Sequence, residues 1–206
     1  MFPLTTLHLA HTPADLPIHI ALYTSLHNAP HIHSQLLASN PHYNYAFIDA
    51  STLLTPTHLL AAIYRALNDS FHKRLKSRNV HSEIVFSLGA NNNIAQALRG
   101  FGIGKETKEL VVVKVGGERE EVEGFLGERV EGVGVEWCEE SLGKVRDVGR
   151  IRKLYKLPEQ GGKGKARRKK GVEKSGGDGT AGTDPEGEMR ELEVAILGLM
   201  ALRGAV

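Results

Sequence analysis

Hydrophobic residues recur along most of the chain in short runs that predict alternating strands and helices. The predicted strands are residues 2–10, 18–26, 45–50, 83–88 and 109–115. In the second of these the apolar residues do not alternate cleanly with polar ones, which indicates a strand covered on both faces. The predicted helices are residues 28–39, 55–71, 94–101, a segment within 118–140, and residues 145–157. Elements in this order predict a single α/β (α+β) domain, with helices packed on a mixed β-sheet.

Residues 73–103 carry the densest set of local signals in the chain. A basic segment precedes Glu83–Leu88, whose β-branched and aromatic residues are typical of a short buried strand. The asparagines at 91–93 can cap the next helix, because a side-chain oxygen at a helix start accepts free backbone N–H groups. The apolar stripe of that helix consists of Ile94, Ala97, Leu98 and Phe101. Gly102 is the residue type expected at its C-terminal end.

A last helix is predicted at residues 188–206, after a segment rich in glycine and lysine. Residues 158–187 contain almost no large apolar side chain, so they cannot bury enough surface to offset the entropy lost on ordering. We therefore expect a domain at residues 1–157, a disordered insertion at 158–187, and a C-terminal helix that completes the domain. That helix is apolar nearly all round, a pattern typical of a helix that is buried or shared with a partner. We favour a partner surface over packing wholly within its own domain.

Composition places the chain among ordinary globular proteins of a reducing compartment. A length of 206 residues with 41% hydrophobic residues suits one domain with a real core. The net charge of +2 makes no global case for nucleic-acid binding. The single cysteine, Cys138, rules out an internal disulfide, and its neighbour Trp137 favours a packing role. The N-terminus lacks a signal pattern, and the longest apolar run, 194–202, is shorter than the roughly 20 residues of a membrane span. We expect no membrane association, and a location in the nucleus and cytoplasm.

The candidate catalytic and metal-binding residues do not form a convincing constellation. All ten histidines lie within the first 81 residues, but no cysteine or carboxylate accompanies them at ligand spacing. His81 and Glu83 would share one face of the predicted strand, where a structural hydrogen bond is favoured over acid–base chemistry. No nucleotide-binding loop is present. The sequence therefore predicts no catalytic residues, no metal and no other cofactor, and hence no enzyme.

Two basic clusters indicate local contact with phosphate groups or, equally, solvated surface. The first contains Lys73, Arg74, Lys76 and Arg78, close in sequence to the helix that follows Asn91, whose free amides also favour phosphate. The second, at residues 163–170, is typical of a nuclear-import signal, a non-specific nucleic-acid arm or a solubilising linker.

A motif within residues 73–103 resembles a known family. It reads Lys76-x-Arg78-x-x-His81-Ser82-Glu83-Ile84-Val85-Phe86-x-Leu88, then Asn91-Asn92-Asn93-Ile94 and Phe101-Gly102-Ile103. With the strand–helix block at residues 48–67, it is similar to the Cgi/PRPK-binding protein family, the accessory subunits of the KEOPS/EKC complex. The resemblance covers residues 2–115, is weak from 116 to 157 and returns in the last twenty residues. The family's usual serine-proline pair before the asparagines is replaced here by Gly89-Ala90.

The resemblance implies a non-catalytic subunit that binds the small PRPK/Bud-type kinase/ATPase subunit and regulates it allosterically, and so joins the rest of the complex. That complex supports threonylcarbamoyl modification of the adenosine next to the anticodon in tRNAs reading codons that begin with adenine. The family is also linked to telomere maintenance and transcription, which adds the chromosome to the expected locations.

The resemblance also implies site residues. In the family a C-terminal helix joins the face that docks on the kinase, and the corresponding residues here are Leu192, Ile196, Leu199 and Met200. The residues implied for tRNA binding are Arg74, Lys76 and Arg78. Two rival functions stay open: a direct tRNA-binding module that recruits substrate through the basic patch, and a small hydrolase that uses His81 or Glu83.

Overall fold

A five-stranded sheet forms the centre of the protein. The computed structural model describes residues 3–12, 16–158 and 185–203. The strands are β1 (Leu4–Leu7), β2 (Ile18–Thr24), β3 (Ala46–Asp49), β4 (Leu110–Val115) and β5 (Val133–Val135). Their order is β1-β2-β4-β3, and β5 pairs with the end of β2 that β1 leaves uncovered. The α/β class is therefore confirmed.

Every strand pairing in the described parts of the chain is antiparallel, whereas a mixed sheet was predicted. The segment at 83–88 is not a strand, so β4 is the next strand along the chain after β3, and the two pair antiparallel.

Helices cover both faces of the sheet. They are α1 (Ala29–Leu37), α2 (Pro56–Phe71), α3 (Val80–Ser87), α4 (Ile94–Phe101), α5 (Arg119–Arg129), α6 (Glu139–Val145), α7 (Val148–Leu154) and α8 (Pro185–Ala201). Short 3₁₀ helices at Pro41–Tyr43 and Ala50–Thr52 flank β3. The predicted capping of α4 is confirmed, because Asn93 accepts from the Gln96 amide at the start of that helix. At the start of α2 the Thr55 hydroxyl accepts from the His58 amide.

The core consists of two hydrophobic clusters, one on each face of the sheet. Residues Ile18, Ile20 and Leu22 of β2 join the cluster formed with α2, α3, α7 and α8. Ala21 and Tyr23 of the same strand join the cluster formed with α1 and α5. Strand β2 is buried from Ile18 to Tyr23 on both faces, which confirms the interpretation of its non-alternating pattern.

The predicted strand at 83–88 is wrong, because these residues belong to α3. Asn79 and Ser82 form a reciprocal capping box that starts this helix. The helix is buried over almost its whole length, from His81 to Ser87 with the exception of Ser82. A segment that is buried on nearly all sides shows no helical period in its sequence. Its β-branched and aromatic residues therefore led to the prediction of a strand.

Two helix boundaries also differ from the prediction. The helix expected at 145–157 is shortened to α7, because Asp147 caps its start by accepting from the Arg150 amide and the helix ends at Leu154. Helix α6 ends just before it, at Val145. Phe71, the last residue of the helix predicted at 55–71, is exposed. Helix α8 begins at Pro185, and the rest of the expected insertion, residues 159–184, lies outside the described residues together with the basic run at 163–170.

Candidate functional site

The basic loop, residues 73–78 between α2 and α3, is exposed. The side chains of Arg74, Lys76 and Arg78 all reach the surface, as the phosphate-binding hypothesis requires. A carboxylate oxygen of Asp69 lies 3.3 Å from Arg74 Nη2. Lys76 Nζ donates to Asn92 Oδ1 at 3.1 Å, which holds the loop beside the start of α4. The basic loop and the start of α4, close in sequence, are thus also in contact in the structure.

The backbone of the basic loop is held by Glu83, which is fully buried in the first turn of α3. Its Oε2 atom accepts hydrogen bonds from the Lys76 amide at 3.1 Å, the Ser77 amide at 2.7 Å and the Ser77 hydroxyl at 2.6 Å. The hydrogen bonds of Glu83 therefore fix the conformation of the loop, and none of them is made to solvent or to His81.

A pocket of about 540 Å³ adjoins the basic loop. It lies between α1, the 3₁₀ helix at Pro41–Tyr43, α3 and α4. Arg78, Asn79 and His81 line one part of it. Polar residues such as His33, Asn40 and Asn44 also line it, together with a larger apolar part: Leu36, Leu37, Tyr45, Phe47, Val85 and Leu98. An apolar, partly aromatic cavity next to an arginine is suited to a ligand with a flat ring and a negative charge.

His81, in the wall of this pocket, is a neutral hydrogen-bonding residue. The Val115 amide donates to Nε2 at 3.1 Å, so the ring proton is on Nδ1, which lies 3.0 Å from Asn44 Oδ1. Burial, together with the nearby Lys114 charge, lowers the pKa of His81 to about 3. His81 and Glu83 were predicted to share one face of a strand, and this is wrong. On a helix two residues apart they point about 200° from each other, and their hydrogen bonds go to different partners.

The predicted kinase-binding residues of α8 are mostly part of the protein's own core. Leu192, Ile196 and Met200 are buried in the cluster with α2, α3 and the sheet, and Leu199 is half-buried against it. The preference for a partner surface at these positions is therefore corrected: three of the four side chains are already covered by the domain. Which side of α8 is buried depends on the α2 surface against which it packs. The sequence of α8 alone does not show this.

Polar contacts hold α8 at its middle and at its C-terminal end. In the middle the Thr55 hydroxyl donates to Glu193 Oε1 at 2.5 Å. At its end Arg65 Nη1 donates to the Met200 carbonyl, and Arg203 Nη1 donates to the Phe86 carbonyl of α3. The Arg203 guanidinium also lies 3.9 Å from the centroid of the Phe86 ring. The sequence analysis missed these anchors, because residues so distant in the chain share no local pattern.

The outer face of α8 remains available. Val194 is 70% exposed and Leu202, just after the helix, is 58% exposed. Helix α2, on which α8 packs, adds the exposed side chains of Tyr64 and Phe71. Large exposed apolar residues on two packed helices are typical of an interaction surface.

Other candidate groups have structural partners. Cys138 Sγ donates to Ser141 Oγ at 3.3 Å. The buried Asp49 carboxylate accepts from Ser51, Thr107 and Arg150. Within the described ranges, no three or more His, Cys, Asp or Glu side chains are grouped so that they could hold a metal ion. None of the described helices combines the length and apolarity needed to cross a membrane.

Comparison with known proteins gives a consistent result. The family model "Kinase binding protein CGI-121" matches residues 23–204. The chain is 46% identical over 206 residues to the EKC/KEOPS complex subunit cgi121 of Aspergillus terreus, covering 98% of this chain and 97% of the relative. It is 38% identical over 190 residues to the subunit CGI121 of Yarrowia lipolytica, covering 92% and 95% of the two chains. For the subunit cgi121 of Schizosaccharomyces pombe the identity is 39% over 145 residues, covering 69% and 83%.

The described functional features of the molecule are surfaces: a basic loop with its pocket, and the outer face of α8. Surfaces of this kind are typical of proteins that bind other macromolecules. Within that class, the chain belongs to the CGI-121 family of kinase binding proteins. The resemblance carried by residues 73–103 is thereby confirmed.

Proposed function

We propose that this protein is a non-catalytic subunit of an EKC/KEOPS complex that binds the small PRPK/Bud-type kinase/ATPase subunit and regulates it allosterically. The observation that carries the proposal is the match over nearly the whole chain to relatives named as subunits of that complex, in a family described as kinase binding. Regulation here means that the subunit binds one kinase conformation more tightly and so stabilises it. The complex in turn would support threonylcarbamoyl modification of tRNA, with telomere and transcription roles following from the same assembly in the nucleus and cytoplasm.

The kinase-docking surface is assigned to the outer face of α8 rather than to its buried side. Leu192, Ile196 and Met200 are committed to the domain core, whereas Val194 and Leu202 are exposed on the same segment. A partner that covered these two side chains would gain about 1.5–3 kcal/mol for each one removed from water. Leu199, half-buried, lies at the border of the two faces.

Replacing Val194 with arginine is expected to weaken kinase binding at least tenfold, because an unpaired charge would be buried at the interface. The measurement is a calorimetric titration of the full chain with its cognate small kinase. The matched control is Val133→Arg, the same substitution at a valine that is 57% exposed on β5. Val133→Arg is expected to bind as the wild type does. Equal binding by both variants would contradict docking on α8, and no binding by the wild type would contradict the kinase-binding function.

A second function, direct contact with tRNA, is favoured by the basic loop and its pocket. Arg74, Lys76 and Arg78 offer three exposed cations, and Arg78 also lines the pocket. Cations that contact the phosphate backbone supply a large share of the affinity of proteins for nucleic acids. In this proposal the subunit recruits the tRNA substrate while another subunit performs the chemistry.

Replacing Lys76 and Arg78 together with alanine is expected to lower tRNA affinity roughly tenfold at low salt. Each lost phosphate contact also reduces the slope of log K against log salt by about 0.7–0.9, so the slope should fall by about 1.5. The control pair, Lys144→Ala with Lys153→Ala, removes the same charge from exposed positions of α6 and α7. If both double variants bind alike, net charge rather than the basic loop governs binding.

A further inference from the structure

Glu83 is a carboxylate placed where carboxylates are rarely found. It is 0% exposed, between Ile84 and the capping residues of α3. A buried carboxylate is costly unless hydrogen bonds and nearby positive charge compensate it. Here the hydrogen bonds reach one oxygen, Oε2, and come from the basic loop, whereas the buried Oε1 accepts no hydrogen bond from the described residues.

The three hydrogen bonds to Glu83 Oε2 converge from two consecutive residues. The donors are the amides of Lys76 and Ser77 and the hydroxyl of Ser77, at 2.6 to 3.1 Å. Consecutive backbone N–H groups that point at one anion form an anion-binding nest. In this protein the anion is a side chain of the next helix, so the nest ties the basic loop to α3.

The other contacts of the loop involve mainly side chains. The Arg74–Asp69 ion pair at 3.3 Å has an arginine side chain that is 62% exposed, and such pairs contribute little. The Lys76–Asn92 hydrogen bond lies on the exposed surface, and Ser82 Oγ donates to the Ser77 hydroxyl at 3.1 Å. Among the hydrogen bonds of the described residues, those that the Lys76 and Ser77 amides donate go to Glu83.

Positive charge from the C-terminal segment supports the buried carboxylate. Arg203 is bound over Phe86, one turn beyond Glu83 on α3. Burial lowers the pKa of Arg203 to about 10, and the Glu83 charge acts in the opposite direction. The start of α3 adds its own favourable field for an anion in the first turn.

We propose that Glu83 is the positioning residue of the basic loop: its buried carboxylate fixes the backbone of Lys76 and Ser77, and thereby the places from which Arg74, Lys76 and Arg78 contact tRNA phosphates. This inference rests on the proposed tRNA-binding function and gives it a structural determinant. Glu83 itself contacts no RNA.

One substitution distinguishes this role from simple electrostatics, because the two explanations predict opposite changes in phosphate affinity. Glu83→Gln removes a negative charge close to the cations. If the charge alone mattered, phosphate binding would strengthen, because a repulsive charge is gone. If Glu83 positions the loop, binding weakens, because a neutral glutamine amide accepts hydrogen bonds more weakly than a charged carboxylate does and the loop is then held less firmly.

The experiment compares tRNA binding by the full-length wild type, Glu83→Gln, Ser77→Ala and Asp69→Asn, using fluorescence anisotropy across a salt series. Amide hydrogen exchange is measured on the same samples. We expect Glu83→Gln to lose five- to tenfold in affinity, and the Lys76 and Ser77 amides to exchange at least tenfold faster while α2 amides stay as in the wild type. Ser77→Ala, which removes one donor at a half-buried site, should lose two- to threefold. Asp69→Asn also removes a negative charge beside the loop but leaves the nest intact, so its affinity should be unchanged or higher.

The outcomes are distinguishable. Unchanged or tighter binding by Glu83→Gln, or unchanged exchange of the two amides, overturns the positioning role. A wild type that binds no tRNA overturns the tRNA-binding function, and the exchange of Lys76 and Ser77 then still decides whether Glu83 orders the loop. Faster exchange throughout α2 and the sheet in Glu83→Gln would also overturn the proposal, because Glu83 would then serve the fold as a whole.

Discussion

Ile196→Arg is expected to destabilise the folded domain by about 3–5 kcal/mol, the usual cost of an uncompensated buried charge. Ile196 is 0% exposed and belongs to the core cluster that α8 forms with α2 and the sheet. Because whole domains are stable by only about 5–15 kcal/mol, this loss would leave little stability. Urea unfolding followed by circular dichroism measures it.

The matched control for this prediction is Val194→Arg, two residues earlier on the same helix but 70% exposed. A surface substitution of this kind usually changes stability by less than about 0.5 kcal/mol. The contrast tests whether α8 is seated in the core when no partner is present. Wild-type stability in Ile196→Arg would show that the helix does not pack there in solution.

The second large effect is loss of stability in mild acid, caused by two buried neutral histidines. Burial lowers the pKa of His58 to about 3, and burial with the nearby Lys114 charge does the same for His81. His58 accepts from the Leu54 amide at Nδ1, and its Nε2 lies 2.7 Å from the Tyr155 hydroxyl, so the folded state holds it neutral.

The direction in which pH changes the stability follows from the protonation of the two histidines in the folded and unfolded states. An unfolded histidine takes up a proton near pH 6.5, whereas these two do so in the folded state only near pH 3. Between these values the unfolded chain binds more protons, so stability is fully present above pH 6.5 and falls as the pH drops. At 1.36 kcal/mol per pH unit, each histidine should contribute a loss of about 3 kcal/mol by pH 4.

Urea unfolding from pH 7.5 to pH 4 measures this effect, and histidine variants assign it. His58→Gln should be less stable at pH 7, because the hydrogen-bonded pair with Tyr155 is disturbed, but its stability should depend on pH by about one proton less. A pH profile of His58→Gln parallel to that of the wild type would contradict the assignment to His58.

The local signals of the sequence located several elements correctly. Strand β4 was found from its apolar run and helix α2 from its apolar spacing. Asn93 at α4 was likewise found from residue type alone. The family motif in residues 73–103 was also identifiable, because it consists of residue identities rather than of spatial contacts.

The sequence misassigned α3, which has no exposed face. For α8 it did not show which face is covered, because that depends on a segment distant in the chain. Helix α3 was taken for a strand because it is buried on nearly all sides and so shows no helical period. The role of Glu83 was missed for the same reason, since its partners lie in a loop whose conformation only the fold defines.

The sequence by itself determined the α/β class, most strands and capped helices, the exposed basic loop and membership in the family. Each of these depends on residue type or on spacing within one segment, which is local information. Only the tertiary structure decided the antiparallel sheet, the buried side of α8 and the anchoring of the basic loop by Glu83. Those features arise where segments far apart in the chain come into contact. Which apolar face of a helix such as α8 is covered depends on the surface against which the helix packs.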